Sequence, residues 1–298
     1  MAGKTKVKTT GRQRSEFIWG WLFILPTVIG LIVLNIIPIF QTIYQSFFKT
    51  GDFGRGNIFV GLENYQKVFA DKEIWQALIN TFKYAIVEVP FSIVIALVLA
   101  VFLNRKMIGR SVYRTIIFLP MVAAPAAVAM VWRWLFNSDF GLINNLFHLH
   151  TKWISDPRIA VFSIAVIGIW SIIGYNMVLF ISGLQEIPHD YYEAAEIDGA
   201  SGFTRFFRIT LPLMCPSVKI VAVTGLIGGM KAFDVIYSMT SGGPGDATQT
   251  VMMVMMRKGI SDGFYNQGAA FGVCFFVVVM ILSAIMNTIM QKWSDSIQ

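Results

Sequence analysis

Charge is scarce in this chain. Only 14% of its 298 residues are Asp, Glu, Lys or Arg, while 55% are hydrophobic; soluble domains carry roughly a quarter charged residues. A soluble two-domain protein of this composition would have to bury far too much apolar surface. Cysteine is nearly absent. Cys215 and Cys274 both fall inside apolar runs, so no disulfide framework or zinc site is available, and both read as small hydrophobes. There are three histidines. His148 and His150 form an isolated pair in a polar stretch, and no Ser-His-Asp or Cys-His set has a suitable context. No metal site is expected. The phosphate-loop pattern Gly-x-x-x-x-Gly-Lys-Ser/Thr is missing, and Gly228-Gly229-Met230-Lys231 fails its spacing and lies in an apolar run. The net charge of +7 comes without aromatic-basic interleaving or a nucleic-acid module, so no nucleic-acid partner is expected.

What the chain does have is long apolar runs. A bilayer-spanning helix needs about 20 predominantly apolar residues, and six such stretches occur, at about 17–40, 81–103, 112–136, 159–184, 213–239 and 268–290. The fold class is therefore an all-α membrane protein with six transmembrane helices and membrane lipid around it. A basic tail (1–16) precedes the membrane domain (17–292), and a short polar tail (293–298) follows. The first run is too long for the core of a signal peptide, and no cleavage site follows it. Pro26 and Pro38 within it are tolerable in a membrane helix. Pro120 and Pro125 should bend the third span. Glu63–Leu78 reads as an amphipathic helix at the outer surface. Six spans place both termini on one side. That side carries twelve Lys and Arg, including Lys4, Lys6, Lys8, Arg12, Arg14, Arg105, Lys106, Arg110 and Arg114, against eight over the longer opposite loops. By the positive-inside rule both termini are cytoplasmic.

One polar island interrupts this pattern. Residues 185–212 use 28 positions to join two spans, where a few suffice. The island sets five acids (Glu186, Asp190, Glu193, Glu196, Asp198) before Arg205 and Arg208. Asp190 with Glu193 three residues later is close to a capping box. Ala194 and Ala195 favour helix, and Gly199 is placed to end that helix in the left-handed region. Ser201 can cap a second short helix through Phe203, Phe206 and Phe207, with Leu211-Pro212 stopping it before the next span. The charge count puts this two-helix hairpin in the cytoplasm, as a shaped docking surface.

The order Glu193-Ala194-Ala195, Gly199, Ile209-x-Leu211-Pro212 resembles the EAA loop of bacterial ABC importer permeases. Further stretches (Phe59-Val60-Gly61-Leu62-Glu63-Asn64-Tyr65, Leu184-Gln185-x-Ile187-Pro188, Phe233-Asp234, Thr240-x-Gly242-Gly243-Pro244) are similar to its carbohydrate-uptake branch, the maltose and glycerol-3-phosphate types, and the resemblance runs from about residue 17 to 292. It implies a type I ABC importer permease in the bacterial cytoplasmic membrane, with the loop as a coupling helix seated on an ATPase subunit. Glu193, Ala194, Ala195, Asp198, Gly199, Arg205, Ile209, Leu211 and Pro212 are then the coupling residues. The implied partners are a second homologous permease, two ATP-binding subunits and an extracytoplasmic solute-binding protein that delivers a sugar. ATP and Mg would be bound by the ATPase partner, so this chain would be a transport component with no cofactor and no catalytic residues of its own. The other reading is a self-sufficient secondary transporter of small polar solutes, for which internal repeats and midplane ion-coupling groups would be expected.

Ionisable residues inside spans are functional candidates by default. Lys83, Arg133 and Lys219 lie near predicted ends, where they can snorkel. Lys231 and Asp234 are three apart, so they either pair on one helix face or line a polar pathway. The resemblance places the sugar site in this segment and the preceding span. Trp170 and Tyr175 offer rings suited to sugar faces, with Asn176 beside them; the other reading of each is ordinary interface or core packing. Gly225, Gly228 and Gly229 either widen the cavity or allow close helix packing.

Overall fold

A computed structural model describes residues 11–50, 57–105 and 107–296. The expected tail before residue 11, the stretch 51–56 with Arg55, Lys106 and residues 297–298 lie outside the described residues. Almost everything described is helix. The first span is one long rod: α1 (Gly11–Leu31), a π-helical turn (Ile32–Ile36) and α2 (Ile37–Ser46). A two-stranded antiparallel hairpin follows, β1 (Phe48–Thr50) paired with β2 (Asn57–Phe59). Next come α3 (Glu63–Ala70), α4 (Lys72–Asn104), α5 (Arg110–Val122), α6 (Pro125–Leu135), α7 (Leu142–Phe147) and α8 (Ala160–Glu186). The island supplies α9 (Asp190–Ile197) and α10 (Gly202–Arg205). A π turn (Phe206–Thr210) and α11 (Leu211–Leu213) lead into α12 (Cys215–Met230). The chain closes with α13 (Asp234–Thr240), α14 (Val251–Met256), a π turn (Arg257–Ser261) and α15 (Tyr265–Asp295).

Five helical stretches are long and apolar enough to cross a membrane, and α5 with α6 forms a sixth span only as a pair bent by 99°. The sequence led us to expect a bent third span, but the bend is a full break. Ala123 and Ala124 are extended. A residue before proline is pushed out of the helical region, and Pro125, with no N–H to leave unpaired, then opens α6. Two further boundaries differ. The amphipathic helix expected over 63–78 stops at Ala70, because the Asp71 side chain accepts the Glu73 N–H and starts a new helix. Residues 72–78 therefore belong to α4, which at 33 residues is roughly 50 Å long. The loop expected over 241–266 holds α14, whose Val251 and Val254 are fully buried.

Helices associate in a bilayer by close packing of small residues more than by apolar burial. α4 and α8 run side by side on that basis. Ala96, Ala100 and Leu103 of α4 meet Met177, Phe180, Ile181 and Leu184 of α8, with Met214, Val218 and Val221 closing the cluster at the island end. A second cluster at the opposite end joins α4 (Ile74, Ala77) to α14 (Val251, Val254) and α15 (Ala270, Phe271). Side-chain amides close this end. Asn80 donates to the Asp246 and Gln249 carbonyls at 2.8 and 3.1 Å, and Asn64 to those of Ser46 and Phe48. Lys258 and Arg257 form ion pairs with Asp71 and Glu73.

Candidate functional site

α12 stops midway at Met230, and the chain restarts as α13 at Asp234. A broken helix frees backbone groups, and here the Ala232 carbonyl is taken by the Thr250 hydroxyl at 3.1 Å. The break opens a cavity of about 340 Å³ lined from α4 (Tyr84, Glu88), α8 (Ser171, Tyr175, Asn176), α12 (Thr224, Gly228, Gly229) and the 231–236 segment. Of the residues expected along the substrate pathway, Tyr175, Asn176, Gly228, Gly229, Lys231 and Asp234 meet on this one cavity. Trp170 is not in its lining; its ring packs edge-on against Trp132, 5.5 Å between centroids. Of the two readings of Lys231 and Asp234, the helix-face pair does not form. The helix ends between them, and no ion pair joins them among the described residues. The glycine alternatives divide: a Cβ on Gly228 would meet open space, whereas one on Gly229 would press on Glu88, Val89 and Ala85 at 3.1–3.3 Å.

Glu88, Tyr84, Ser171 and Thr224 also line this cavity. They were not among the expected site residues. Glu88 had a readable signal, a lone acid in the middle of the second apolar run (Val87-Glu88-Val89-Pro90), open to the same reasoning as Lys231. The hydroxyl residues carried none, since Ser and Thr are common in membrane helices.

The island folds as two helices at the far end of α8. α9 ends in a complete Schellman arrangement: the Ala200 N–H donates to the Ala195 carbonyl at 2.9 Å and the Gly199 N–H to that of Glu196 at 3.1 Å. Gly199 holds φ +73°, as its spacing led us to expect. Ser201 caps α10 by accepting the Thr204 N–H. Asp190 does not cap. His189 is already helical, so Asp190 is the first full residue of α9, and Glu193 faces the His189 ring at 3.1 Å instead. Leu211-Pro212 does not stop the second helix either. The π turn at Phe206–Thr210 takes up the irregularity, and the chain passes through α11 into α12. The two limbs are tied by a 3.0 Å hydrogen bond between the Tyr192 and Thr210 hydroxyls and by Arg205 against Glu196 at 3.6 Å. Ala195 is buried in the crook, while Glu193, Ala194, Asp198 and Arg208 are exposed and Ile209, Leu211 and Pro212 half-buried. The tip is apolar as well as charged: Ile197 is 88% exposed and Phe203 75%.

The cavity and the hairpin share a frame. α8 carries Tyr175 and Asn176 midway and leads into α9; α12 carries Gly228 and Gly229 and descends from α10. Residues 92–296, which include both features, match the family described as binding-protein-dependent transport system inner membrane component. The chain belongs to this family and is the membrane permease of a binding-protein-dependent transport system. It is 34% identical over 265 residues to the trehalose/maltose transport system permease protein of Thermococcus litoralis, covering 88% of this chain and 90% of that one. It is 31% identical over 294 residues to a probable starch degradation products transport system permease protein of Thermoanaerobacterium thermosulfurigenes, covering 98% of each. The fold superposes on a chain of a bacterial ABC transporter involved in the import of the acidic polysaccharide alginate, with a TM-score of 0.81 at 20% identity over 94% of this chain and 99% of that one. A self-sufficient secondary transporter is set aside by the family match.

Proposed function

We propose that this permease passes a sugar or oligosaccharide inward across the cytoplasmic membrane, driven by ATP hydrolysed on a separate subunit that grips the 185–212 hairpin. The observation that carries this reading is the continuity between cavity and hairpin. Two of the helices that line the 340 Å³ cavity, α8 and α12, are those that enter and leave the hairpin. A push on the hairpin is therefore a displacement of the cavity wall, the physical requirement for alternating access.

The parts follow from their chemistry. A hairpin cross-tied by Tyr192–Thr210 and closed by the Schellman turn moves as one body. Its exposed Ile197 and Phe203 give an apolar anchor of the kind that dominates interface energetics, and Glu193 and Asp198 border it with negative charge. Two ATP-binding subunits, which hold ATP and Mg, would seat one such hairpin each. The second hairpin comes from a homologous permease closing the open side of the cavity, against exposed membrane faces such as that of the first span, where Phe23 of α1 and Leu34 of the π turn are uncovered. With the hairpin and both termini in the cytoplasm, the Asn80-braced end faces outward and receives the solute-binding protein. Tyr175 supplies a ring and a hydroxyl to a passing sugar, and Asn176 an amide. The test is uptake of radiolabelled sugars into proteoliposomes holding the full complex, with ATP inside and binding protein outside. Uptake that needs both supports the reading, and uptake that needs neither opposes it.

A further inference from the structure

Glu88 sits midway along α4 and is 6% exposed. Its Oε2 is buried without a hydrogen-bond partner among the described residues. A carboxyl held away from water with an empty acceptor position is costly, and within a membrane span such a group marks a solute pathway by default. Ser171 on the facing helix α8 is in the same state: its Oγ is buried and unpartnered. Both residues line the one cavity described above.

The neighbouring helices carry no side chain where they face this carboxyl. Where α8 faces it the residue is Gly168, whose Cβ would stand 2.0 Å from the Tyr84 hydroxyl and 3.2 Å from Glu88 Cγ. Where α12 faces it the residue is Gly229, whose Cβ would stand 3.1 Å from Glu88 Oε2. Among the described residues, Lys231 is the one cation in the lining, and it makes no ion pair with this carboxyl. A buried acceptor and a buried hydroxyl, both unpaired and both on a cavity wall, suit a ligand that offers hydroxyl groups to each.

We propose that Glu88 and Ser171 form a specificity-determining subsite in which the Glu88 carboxylate accepts a hydrogen bond from one hydroxyl of the transported sugar and Ser171 engages a neighbouring oxygen. This rests on the sugar-import reading and adds to it the residues that recognise a particular hydroxyl. A sugar lacking that hydroxyl leaves Glu88 unpaired and is discriminated against, as sites built to hydrogen-bond a substrate hydroxyl do.

The test uses the full complex in proteoliposomes with a panel of radiolabelled mono-, di- and oligosaccharides, followed by the monodeoxy analogues of whichever sugar is taken up. Assembly of E88Q and S171A is checked by co-elution of all subunits. E88Q should raise the apparent KM for the parent sugar by about tenfold or more while changing the KM for one particular monodeoxy analogue little. S171A should show the same pattern for an adjacent position, with a smaller effect. An equal loss for the parent and every analogue, or no loss, overturns the proposal and leaves the sugar reading standing. Failure of the unmutated complex to take up any sugar overturns that reading, and the subsite with it. The unmutated complex gives a second measure, independent of whether E88Q assembles. Dicyclohexylcarbodiimide modification of Glu88, read by peptide mass spectrometry, should be slowed by saturating transported sugar; an unchanged rate counts against the subsite.

Discussion

Gly199 is the position where one substitution separates the hairpin's shape from everything else. It holds φ +73°, and a Cβ built there meets nothing within 4 Å. Any side chain therefore brings backbone strain and no clash. A residue with a Cβ pays about 1–2 kcal/mol in the left-handed region, and a β-branched one sits at the upper end. Relief of that strain by unwinding would give up the Ala200-to-Ala195 and Gly199-to-Glu196 hydrogen bonds. At about 2 kcal/mol the ratio of correctly folded to unwound α9 termini falls by about 30-fold. Gly199→Val should therefore leave the protein inserted and its melting temperature little changed, because the hairpin is peripheral to the helix bundle. In proteoliposomes it should lower the amount of sugar imported per ATP hydrolysed. Gly199→Asn is the control, since Asn tolerates this conformation, and it should stay close to the unmutated protein. Equal coupling for Gly199→Val and the unmutated chain, or equal damage from Asn and Val, would refute the reasoning.

The other predictions concern separate parts. Ile197→Asp removes an apolar anchor whose burial is worth about 1.5–3 kcal/mol; co-purification of the ATP-binding subunits should weaken by tenfold or more while the permease remains folded. Glu193→Lys reverses charge at the rim of that surface and should uncouple ATP hydrolysis from uptake, read as hydrolysis no longer responding to loaded binding protein. Asn80→Leu removes the amide that donates to the Gln249 carbonyl and, beside the Gln249 N–H, to the Asp246 carbonyl, and should cost about 1–3 kcal/mol, seen as a lower melting temperature in detergent. Gly168→Ala drives a methyl into the Tyr84 hydroxyl and should cost about 1–3 kcal/mol by overpacking, by the same assay.

The features legible in the sequence were those with a local cause. Apolar run length marked the spans, the Gly199 spacing marked the end of α9, and Ser201 marked the start of α10. The features that were not legible have tertiary causes. Pro125 announces a bend, but its 99° size belongs to the packing of α6 on α13, where Val128, Ala129, Ile236 and Met239 share a core. The π turn at Phe206–Thr210 has no local signature. α14 looked like part of a loop because six apolar residues between polar flanks fix neither helix nor burial; what buries it is packing on α4 and α15, with the Thr81 hydroxyl accepting the Val251 N–H. At the cavity, Tyr175, Asn176, Gly228, Gly229, Lys231 and Asp234 converge because α8 packs beside the broken α12. Trp170 was plausible by type alone and faces Trp132, since one step along a helix turns a side chain by about 100°. Lys231 and Asp234 had the spacing of a pair only while the helix between them was intact.

The measurement that bears most directly on the link between hairpin and cavity is sugar uptake by the complete complex in proteoliposomes, with ATP and the binding protein each supplied or withheld, for the unmutated chain and for Ile197→Asp. Uptake that requires both components and collapses in Ile197→Asp is the predicted result. Uptake that persists without ATP, or that Ile197→Asp leaves intact, would contradict the assignment of the 185–212 hairpin as the point where this permease receives its energy.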